Sequence, residues 1–271
     1  MSSNPQAPVA VLMTAYKAEG TINEAIDSIL SNGSVCDILV VDDCSPVPMA
    51  ETVRPHPRVE ILRLSRNGGP GPARNFGLER LIEKGYRYIA IMDADDIALP
   101  GKFAKQLAFL EKNPRVGAVG TWARFFDENT RETLFFQAAP THPDEIRQAI
   151  FFNLPMVHPS VMMRTEVFKD VGFYDPRYRT AEDYELMRRV SRKYDLANLG
   201  EYLFDYRMSS RGQSLANRRK QLGDRLKIQI EYFEPNNWRA WAGVAQTLVL
   251  FVMPVPLVLR MKRWLYSRLE S

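Results

Sequence analysis

Tyr88-Ile89-Ala90-Ile91-Met92-Asp93-Ala94-Asp95-Asp96 decides how this chain is read. Five apolar residues in a row, running into turn-forming residues and Leu99-Pro100, predict a strand buried on both faces, as in a parallel sheet. Three carboxylates then crowd its carboxyl end, where open α/β sheets bind ligands. Like charges this close repel unless a cation or donor-rich partner offsets them. A hard divalent ion carrying a phosphorylated substrate is the expected partner.

Outward from that strand, the first hundred residues alternate strand and helix. Val9–Met13, Asp37–Val41 and Val59–Leu64 read as strands one to three. Thr21-Ile22-Asn23-Glu24 has the spacing of a capping box, followed by a helix with Ile22, Ala25, Ile26, Ile29 and Leu30 on its apolar face. A further helix is expected from about Pro72 to Lys84, and another from Lys102 to Lys112. This alternation implies a doubly wound, mostly parallel central sheet with helices on both faces. After Gly117 the pattern changes to a hairpin around Asp127-Glu128-Asn129, a helix over 144–152, a strand over 160–163 and a helix over 166–171. Glu182 to Lys193 is amphipathic, with Leu186, Val190 and Tyr194 inward and Arg188, Arg189, Arg192 and Lys193 outward. Residues 208–217 read as a polar loop.

Polar or aromatic groups close three consecutive strands: Thr14-Ala15-Tyr16, Asp42-Asp43-Cys44-Ser45 and the Asp93 cluster. A fourth element, Asn67-Gly68-Gly69-Pro70-Gly71-Pro72-Ala73-Arg74-Asn75, is glycine-rich and opens a helix, so its backbone can approach a ligand closely and Arg74 supplies a fixed cation. Its spacing is neither G-x-G-x-x-G nor a Walker A loop, which argues against Rossmann cofactors and P-loop ATP binding.

Together these residues resemble the family-2 glycosyltransferases with the GT-A fold. The matching pieces are Val11–Tyr16, Val40–Ser45, Ala73-Arg74-Asn75-Phe76-Gly77, Asp93–Asp96, His158-Pro159-Ser160 and Glu182-Asp183-Tyr184-Glu185-Leu186, in the family's order over roughly residues 7–215. The resemblance implies an inverting, metal-dependent transferase of bacterial type. Asp43 would accept the imide N–H of uracil or thymine, with Thr14 and Tyr16 lining the base pocket. Asp93 and Asp95 would be the D-x-D pair, Asp95 the more direct ligand of Mn²⁺ or Mg²⁺ on the diphosphate, and Asp183 the general base. Arg74 would offset phosphate charge. His158 and Glu182 are weaker candidates for acceptor or phosphate contact. The family's Tyr-Arg-x-His stretch reads Tyr206-Arg207-Met208-Ser209 here, so Arg207 or the loop after it would replace the histidine. No Gln-x-x-Arg-Trp stretch is present, which favours transfer of a single sugar over polymerisation.

The plainer readings give some of these residues ordinary work. Asp96 would cap the following helix, Glu182 and Asp183 are the acids that a helix N-terminus favours, and His158 beside Pro159 has the look of a structural histidine. A sugar-nucleotide nucleotidyltransferase also uses paired aspartates, but it would want a Gly-rich basic loop directly after strand one, where Thr14-Ala15-Tyr16-Lys17-Ala18-Glu19 stands. A catalytically inactive glycan-binding scaffold is disfavoured by the presence of all three carboxylate sites.

The 271 residues suffice for one large α/β domain with a tail: a catalytic part over 1–215, divided into a nucleotide-binding half (1–115) and an acceptor-binding half (116–215), and a helical tail over 216–271. The net charge of +4 is uneven. Residues 201–271 carry 12 Lys and Arg against 6 Asp and Glu, a net of +6, leaving −2 on the first two hundred. Basic flanks beside the uncharged stretch Trp241–Leu259 point to an anionic membrane surface, not to nucleic acid. Pro254 and Pro256 interrupt that stretch, so attachment in the plane of the membrane through residues 238–268, with Trp238, Trp241, Trp264 and Tyr266 at the interface, is expected over a full span. Docking on the domain or on a second subunit is the alternative. Met1-Ser2-Ser3-Asn4-Pro5 shows no export signal, and Cys36 and Cys44 flank a strand, too far apart to bond. Both fit a reducing cytoplasm and the cytoplasmic face of the inner membrane. The expected partners are a nucleotide-sugar donor and a glycan or lipid-linked glycan acceptor.

Overall fold

The computed structural model describes residues 7–33, 36–208 and 218–253. Its first half is built from β1 (Val9–Ala15), α1 (Ile22–Leu30), β2 (Cys36–Asp42), α2 (Met49–Thr52), β3 (Val59–Arg63), α3 (Pro70–Glu83) and β4 (Tyr88–Asp93). The sheet order here is β3-β2-β1-β4, every pairing parallel. The chain winds outward from β1 to β3 and then returns to place β4 on the other side of β1. That reversal makes the carboxyl ends of β1 and β4 a topological switch point, the crevice where open sheets bind ligands.

The central strands are apolar on both faces because both faces are covered. Ala10, Leu12, Leu39, Val41, Ile89 and Ile91 join one core with α3, while Val9, Val11, Met13, Ile38, Val40 and Met92 join the other with α1. In α1, Ile22, Ala25, Ile26 and Ile29 are buried at helical spacing. Helix α3 lies unusually close to the sheet at Gly77, where a Cβ would stand 2.3 Å from Leu12 Cδ1 and 3.0 Å from Val41 Cγ2.

Beyond β4 the sheet turns mixed. It continues through β5 (Ile97–Ala98), α4 (Lys102–Lys112), β6 (Val116–Asp127), β7 (Thr133–Gln137), α5 (Pro143–Ala149), a 3-10 turn (His158–Ser160), β8 (Met162–Arg164), α6 (Thr165–Val171), α7 (Glu182–Val190) and β9 (Asp195–Met208). Among these, β8 is antiparallel to β4 and β6, the β6–β7 hairpin is antiparallel, and β9 runs parallel to β6 and antiparallel to β5. The same sheet crosses the expected 115/116 boundary, since β8 and β6 extend it directly from β4.

Three local expectations are corrected. Thr21 and Glu24 do not form a capping box: the Thr21 side chain makes no cap hydrogen bond, and its Oγ1 donates to Ala94 O at 2.9 Å. Asp96 does not cap α4, whose N-cap is Gly101; it lies buried beside β9. Arg188 and Arg189 do not face out. Arg188 is buried and donates to Tyr232 O, while Arg189 grips Glu185 and the Phe173 carbonyl. These two charges are accepted inside because the chain beyond β9 and the loop after α6 bring carbonyls to them, and Glu185 one turn earlier on α7 brings a carboxylate to Arg189. Both cysteines are free, and burial pushes the Cys36 thiol up to about 12.

The chain ends its described part in α8 (Arg218–Glu231) and α9 (Trp238–Val252), which pack on each other. Helix α9 is turned inside out. Its buried positions are the small residues Ala240, Gly243 and Thr247, and a Cβ at Gly243 would stand 2.1 Å from the Phe151 carbonyl oxygen. Trp238, Trp241, Leu248, Val249, Phe251 and Val252 are exposed. Among the described residues no helix is long and apolar enough to cross a membrane. Pro254, Pro256, Trp264, Tyr266 and the 209–217 loop lie outside the described residues.

Candidate active site

Register brings the strand-end residues level with one another. Thr14 on β1 stands opposite Val41 on β2 and Asp93 on β4, and Ala15 opposite Asp42. The turns after β1 and β2 each contain a non-glycine residue in the left-handed region, Lys17 (φ 56°) and Cys44 (φ 59°). Such strain persists only where surrounding bonds impose it. Here the Lys17 N–H donates to Ser45 Oγ (3.2 Å), and Ser45 N–H and Met49 N–H both donate to Asp42. Asp42 is therefore structural, and Tyr16 is left half exposed above the strand ends.

Asp43 holds the glycine loop. Its Oδ1 and Oδ2 accept the N–H groups of Gly68 and Gly69, both at 2.8 Å, and its carbonyl accepts Asn67 Nδ2. Gly69 supplies the positive φ (86°) that this loop needs before α3 begins at Pro70. A carboxylate has about four acceptor positions, so these two bonds leave Asp43 capacity for a ligand N–H.

Arg74, on the first turn of α3, is buried and committed. Its Nη2 donates to Asp93 at 2.9 Å and its Nη1 to Glu182 at 3.1 Å. It thus joins the end of β4 to the start of α7, and is a clamp between carboxylates more than a free cation for phosphate. The neighbouring Asn75 pairs with the backbone of Tyr174 in both directions, donating to its carbonyl (2.8 Å) and accepting from its N–H (3.0 Å). This seats the Tyr174 ring 5.6 Å from the Arg74 guanidinium. Behind it, the Tyr174 hydroxyl lies 2.9 Å from His158 Nε2. Burial, with Arg74 adding to it, holds His158 well below the usual histidine range. A buried neutral imidazole bonded to a tyrosine supports the wall of the site and does not face a ligand.

The acidic loop is gripped from two sides. Arg207 on β9 donates its backbone N–H to Asp96 Oδ1 (2.9 Å), its Nε–H to Asp95 O (2.6 Å) and its Nη2 to Glu24 (2.6 Å). From α1, Thr21 holds Ala94 as described, and Glu24 also pairs with Arg131 at the hairpin tip. Burial works against the Glu24 charge, but Arg131 and Arg207 together keep its carboxyl below the usual range. Arg207 is spent on positioning the loop, so the structure does not offer it as the replacement for a phosphate-binding histidine.

Within this grip each aspartate has its own setting. Asp96 is buried, with one oxygen lacking any protein partner among the described residues, and burial, then Asp95 and Asp93, raise its pKa well above the ordinary value. Asp95 reaches solvent yet sits in a concavity, where loss of water and then the charge of Asp93 push it up to about 6. At α7 the pair divides likewise. Glu182 turns to Arg74, and burial with the adjacent Asp183 pushes it up to about 7. Asp183, raised by burial, accepts the Tyr184 N–H (2.7 Å) and pairs with no cation within ion-pair distance among the described residues.

These observations test a divalent cation at this place. Asp95 is an unpaired hard-oxygen donor whose proton affinity is raised by neighbouring carboxylates, and the orphaned Asp96 oxygen shows how much negative charge the loop holds. No group of three His, Cys, Asp or Glu side chains is arranged around one point among the described residues. That donor set fits an ion of the Mg²⁺ or Mn²⁺ kind, bound by one or two carboxylates with the remaining positions left to water and substrate phosphates.

The model of the family described as Glycosyl transferase family 2 matches residues 10–172, more than half of the chain. This chain belongs to that family. A glycosyltransferase of Methanocaldococcus jannaschii described as uncharacterized is 30% identical over 240 residues, 85% of this chain and 79% of the relative. The Escherichia coli UDP-Gal:alpha-D-GlcNAc-diphosphoundecaprenol beta-1,3-galactosyltransferase is 25% identical over 235 residues, 84% of each chain. Among solved structures, a Pyrobaculum calidifontis mannosyltransferase in complex with GDP-Man and Mn²⁺ superposes with a TM-score of 0.64, at 17% identity, over 97% of this chain and 81% of that one. TarS of S. aureus in complex with UDP-GlcNAc gives 0.63 at 18% identity, over 90% and 71%. These likenesses establish the GT-A fold, and with the family match they make the chain a glycosyltransferase.

The geometry gathers Thr14, Tyr16, Asp43, Arg74, Asp93, Asp95, Glu182 and Asp183 around the strand ends of this glycosyltransferase. Sequence reading missed Glu24, Asn75 and Tyr174. Asn75 stood inside a quoted motif, whereas Glu24 and Tyr174 acquire their roles from partners far along the chain.

Proposed function

We propose that this glycosyltransferase moves a single sugar, with inversion, from a UDP-sugar or dTDP-sugar to a hydroxyl of a lipid-linked glycan in cell-surface polysaccharide synthesis. The observation that carries this reading is the division of both carboxylate pairs by Arg74. It neutralises Asp93 and Glu182 and leaves Asp95 and Asp183 as the two available carboxylates, one exposed and one half-buried. Asp95, with Asp93 beside it, would hold Mn²⁺ or Mg²⁺. That ion supplies Lewis-acid neutralisation of the charge that grows on the departing nucleoside diphosphate.

Thr14, Tyr16 and Asp43 receive the base at the ends of β1 and β2, with Asp43 accepting the imide N–H. Asp183 takes the proton from the attacking acceptor hydroxyl, and burial raises its proton affinity above that of an ordinary aspartate, the direction a general base needs. Attack from the side of α7 on a sugar whose diphosphate lies over Asp95 displaces the nucleotide from the opposite face, which inverts the anomeric centre.

The lipid-linked acceptor rests on two supports. The galactosyltransferase relative is named for a diphosphoundecaprenol acceptor, and the outward apolar face of α9, together with the basic sequence Arg260-Met261-Lys262-Arg263 further along the chain, has the chemistry of an anionic bilayer interface. The site would then work at the cytoplasmic face of a membrane.

Calorimetric titration of UDP with and without Mn²⁺ tests the donor reading. Binding that needs Mn²⁺ and is lost in Asp95→Ala is expected, and absence of UDP binding with Mn²⁺ present would overturn it. Co-flotation with phosphatidylglycerol vesicles, lost in Trp238→Ser/Trp241→Ser, is expected for the membrane contact.

A further inference from the structure

The β6–β7–β9 surface carries an aromatic cluster that the donor site does not use. Trp122 and Tyr202 face each other at 5.2 Å, and Phe136 meets Tyr202 edge-on at 5.0 Å. Phe136 and Tyr202 are 48% and 39% exposed, next to Leu134 at 49%. Apolar groups of this size on a sheet surface mark an interaction site more often than they mark chance. The rings are tilted, not stacked face to face, so ring faces remain open to an approaching ligand. Trp122 is fixed in place by its Nε1–H bond to Ala139 O (2.8 Å).

The cluster lies on the strands that lead to the active site, whose connecting groups Phe126, Asp205 and Arg207 are buried. Alternate residues of β6 share a face, so Trp122, Arg124 and Phe126 form one row about 13 Å long. Their register partners extend it: Trp122 opposite Tyr202, Arg124 opposite Asp205 and Phe136, and Phe126 opposite Arg207. Arg124 pairs with Asp205 (Nε to Oδ1, 2.9 Å) and stays partly exposed. The row ends where the Phe126 ring lies 5.0 Å from the Arg207 guanidinium, whose Nε holds the Asp95 carbonyl. A row of rings interrupted by an arginine–aspartate pair alternates apolar faces with strong hydrogen-bonding groups. Pyranose rings present the same alternation, with C–H faces and hydroxyl edges.

We propose that Trp122, Phe136 and Tyr202 form a subsite for the part of the acceptor glycan remote from the reacting hydroxyl, with the partly exposed Arg124, held in place by the buried Asp205, donating to a sugar hydroxyl beside them. This rests on the acceptor being a glycan, as proposed above. A lipid chain would strip water from the exposed Arg124 guanidinium without offering it an acceptor, so the row favours a sugar chain as occupant.

The test is binding of the full chain, with UDP and Mn²⁺ present, to an array of bacterial polysaccharide fragments from disaccharides upward. Phe136→Ala/Tyr202→Ala changes exposed side chains only, and its UDP titration and unfolding midpoint check that the site and fold persist. The expected result is binding of longer fragments by the parent protein and a loss of about tenfold in the variant, with UDP affinity unchanged. Equal binding by the two proteins, or no binding of any fragment by a parent protein that binds UDP, would overturn the subsite. So would a change from dimer to monomer in the variant, which would give the surface to a second copy. Failure of UDP itself to bind counts against the donor reading and is separated from these outcomes by the titration.

Discussion

The end of β4 and the start of α7 each present two carboxylates, and Arg74 treats both pairs alike by taking one member from each. The remaining members differ. Asp95 is exposed, with its backbone held by Arg207, whereas Asp183 is half-buried and accepts a backbone N–H from its own helix. An open carboxylate can share a cation with water and phosphate, while a partly desolvated one holds a proton more tightly. On the proposed reading, one arginine thus sets apart the two acids it pairs from the two it leaves available, and exposure distinguishes the work of those two.

Separate substitution of the two working carboxylates is the strongest way to break this comparison. Asp183→Asn is expected to lower kcat by about 10²–10⁴ while leaving Mn²⁺-dependent UDP binding intact. Turnover at the parent rate in that variant would remove the base assignment. Arg74→Met tests what the pairs share. It leaves Asp93 and Glu182 without their cation, and a loss of about 3–5 kcal/mol in denaturant unfolding is expected.

A smaller effect sharpens the contrast between positioning and working groups. Glu24→Gln weakens the hold on Arg207, and hence on the Asp95 loop. The Mn²⁺ concentration needed for UDP binding is expected to rise by about tenfold with little change in unfolding midpoint. No change would leave Glu24 as a surface ion pair.

Two pH measurements complete the set. Asp183 must be ionised to act and burial raises its pKa, so kcat/KM should fall on the acid side along a limb lying above the ordinary aspartate value of 3.8. For stability the sign follows from Glu182. Its folded value, about 7, lies above the unfolded 4.5, so the folded state binds the proton more tightly. That contribution is full below pH 4.5 and is lost as pH rises through about 7. Urea unfolding of Glu182→Gln across that window should show a smaller decline than the parent protein.

The parallel half of the fold was legible because β1, β2 and β4 are continuous apolar runs that end in charged or polar groups. The same reading placed Asp43, Asp93 and Asp95 at strand ends. What sequence hid was the direction of side chains whose partners are remote. Thr21 and Glu24 have capping-box spacing, yet Ala94 and Arg207, 73 and 183 residues away, claim them instead. Arg188 and Arg189 satisfy the polar side of a helical pattern, but α8 and the loop after α6 cover that side. Asp96 next to Pro100 looked like a helix cap until β9, a hundred residues on, came to lie beside it. Local pattern reports which face is apolar. It does not report which polar residue a later element will bury.

The Arg74 bridge has a consequence for synthesis. Its two partners lie 19 and 108 residues further along the chain. A nascent chain that has emerged only as far as β4 can already set Arg74 against Asp93, yet it lacks the acid that completes the cluster. Contacts of such separation form late because chain closure must precede them. If Asp183 is the proton acceptor proposed here, the enzyme acquires it together with Glu182, the second half of the charge balance, and an unfinished chain is unarmed.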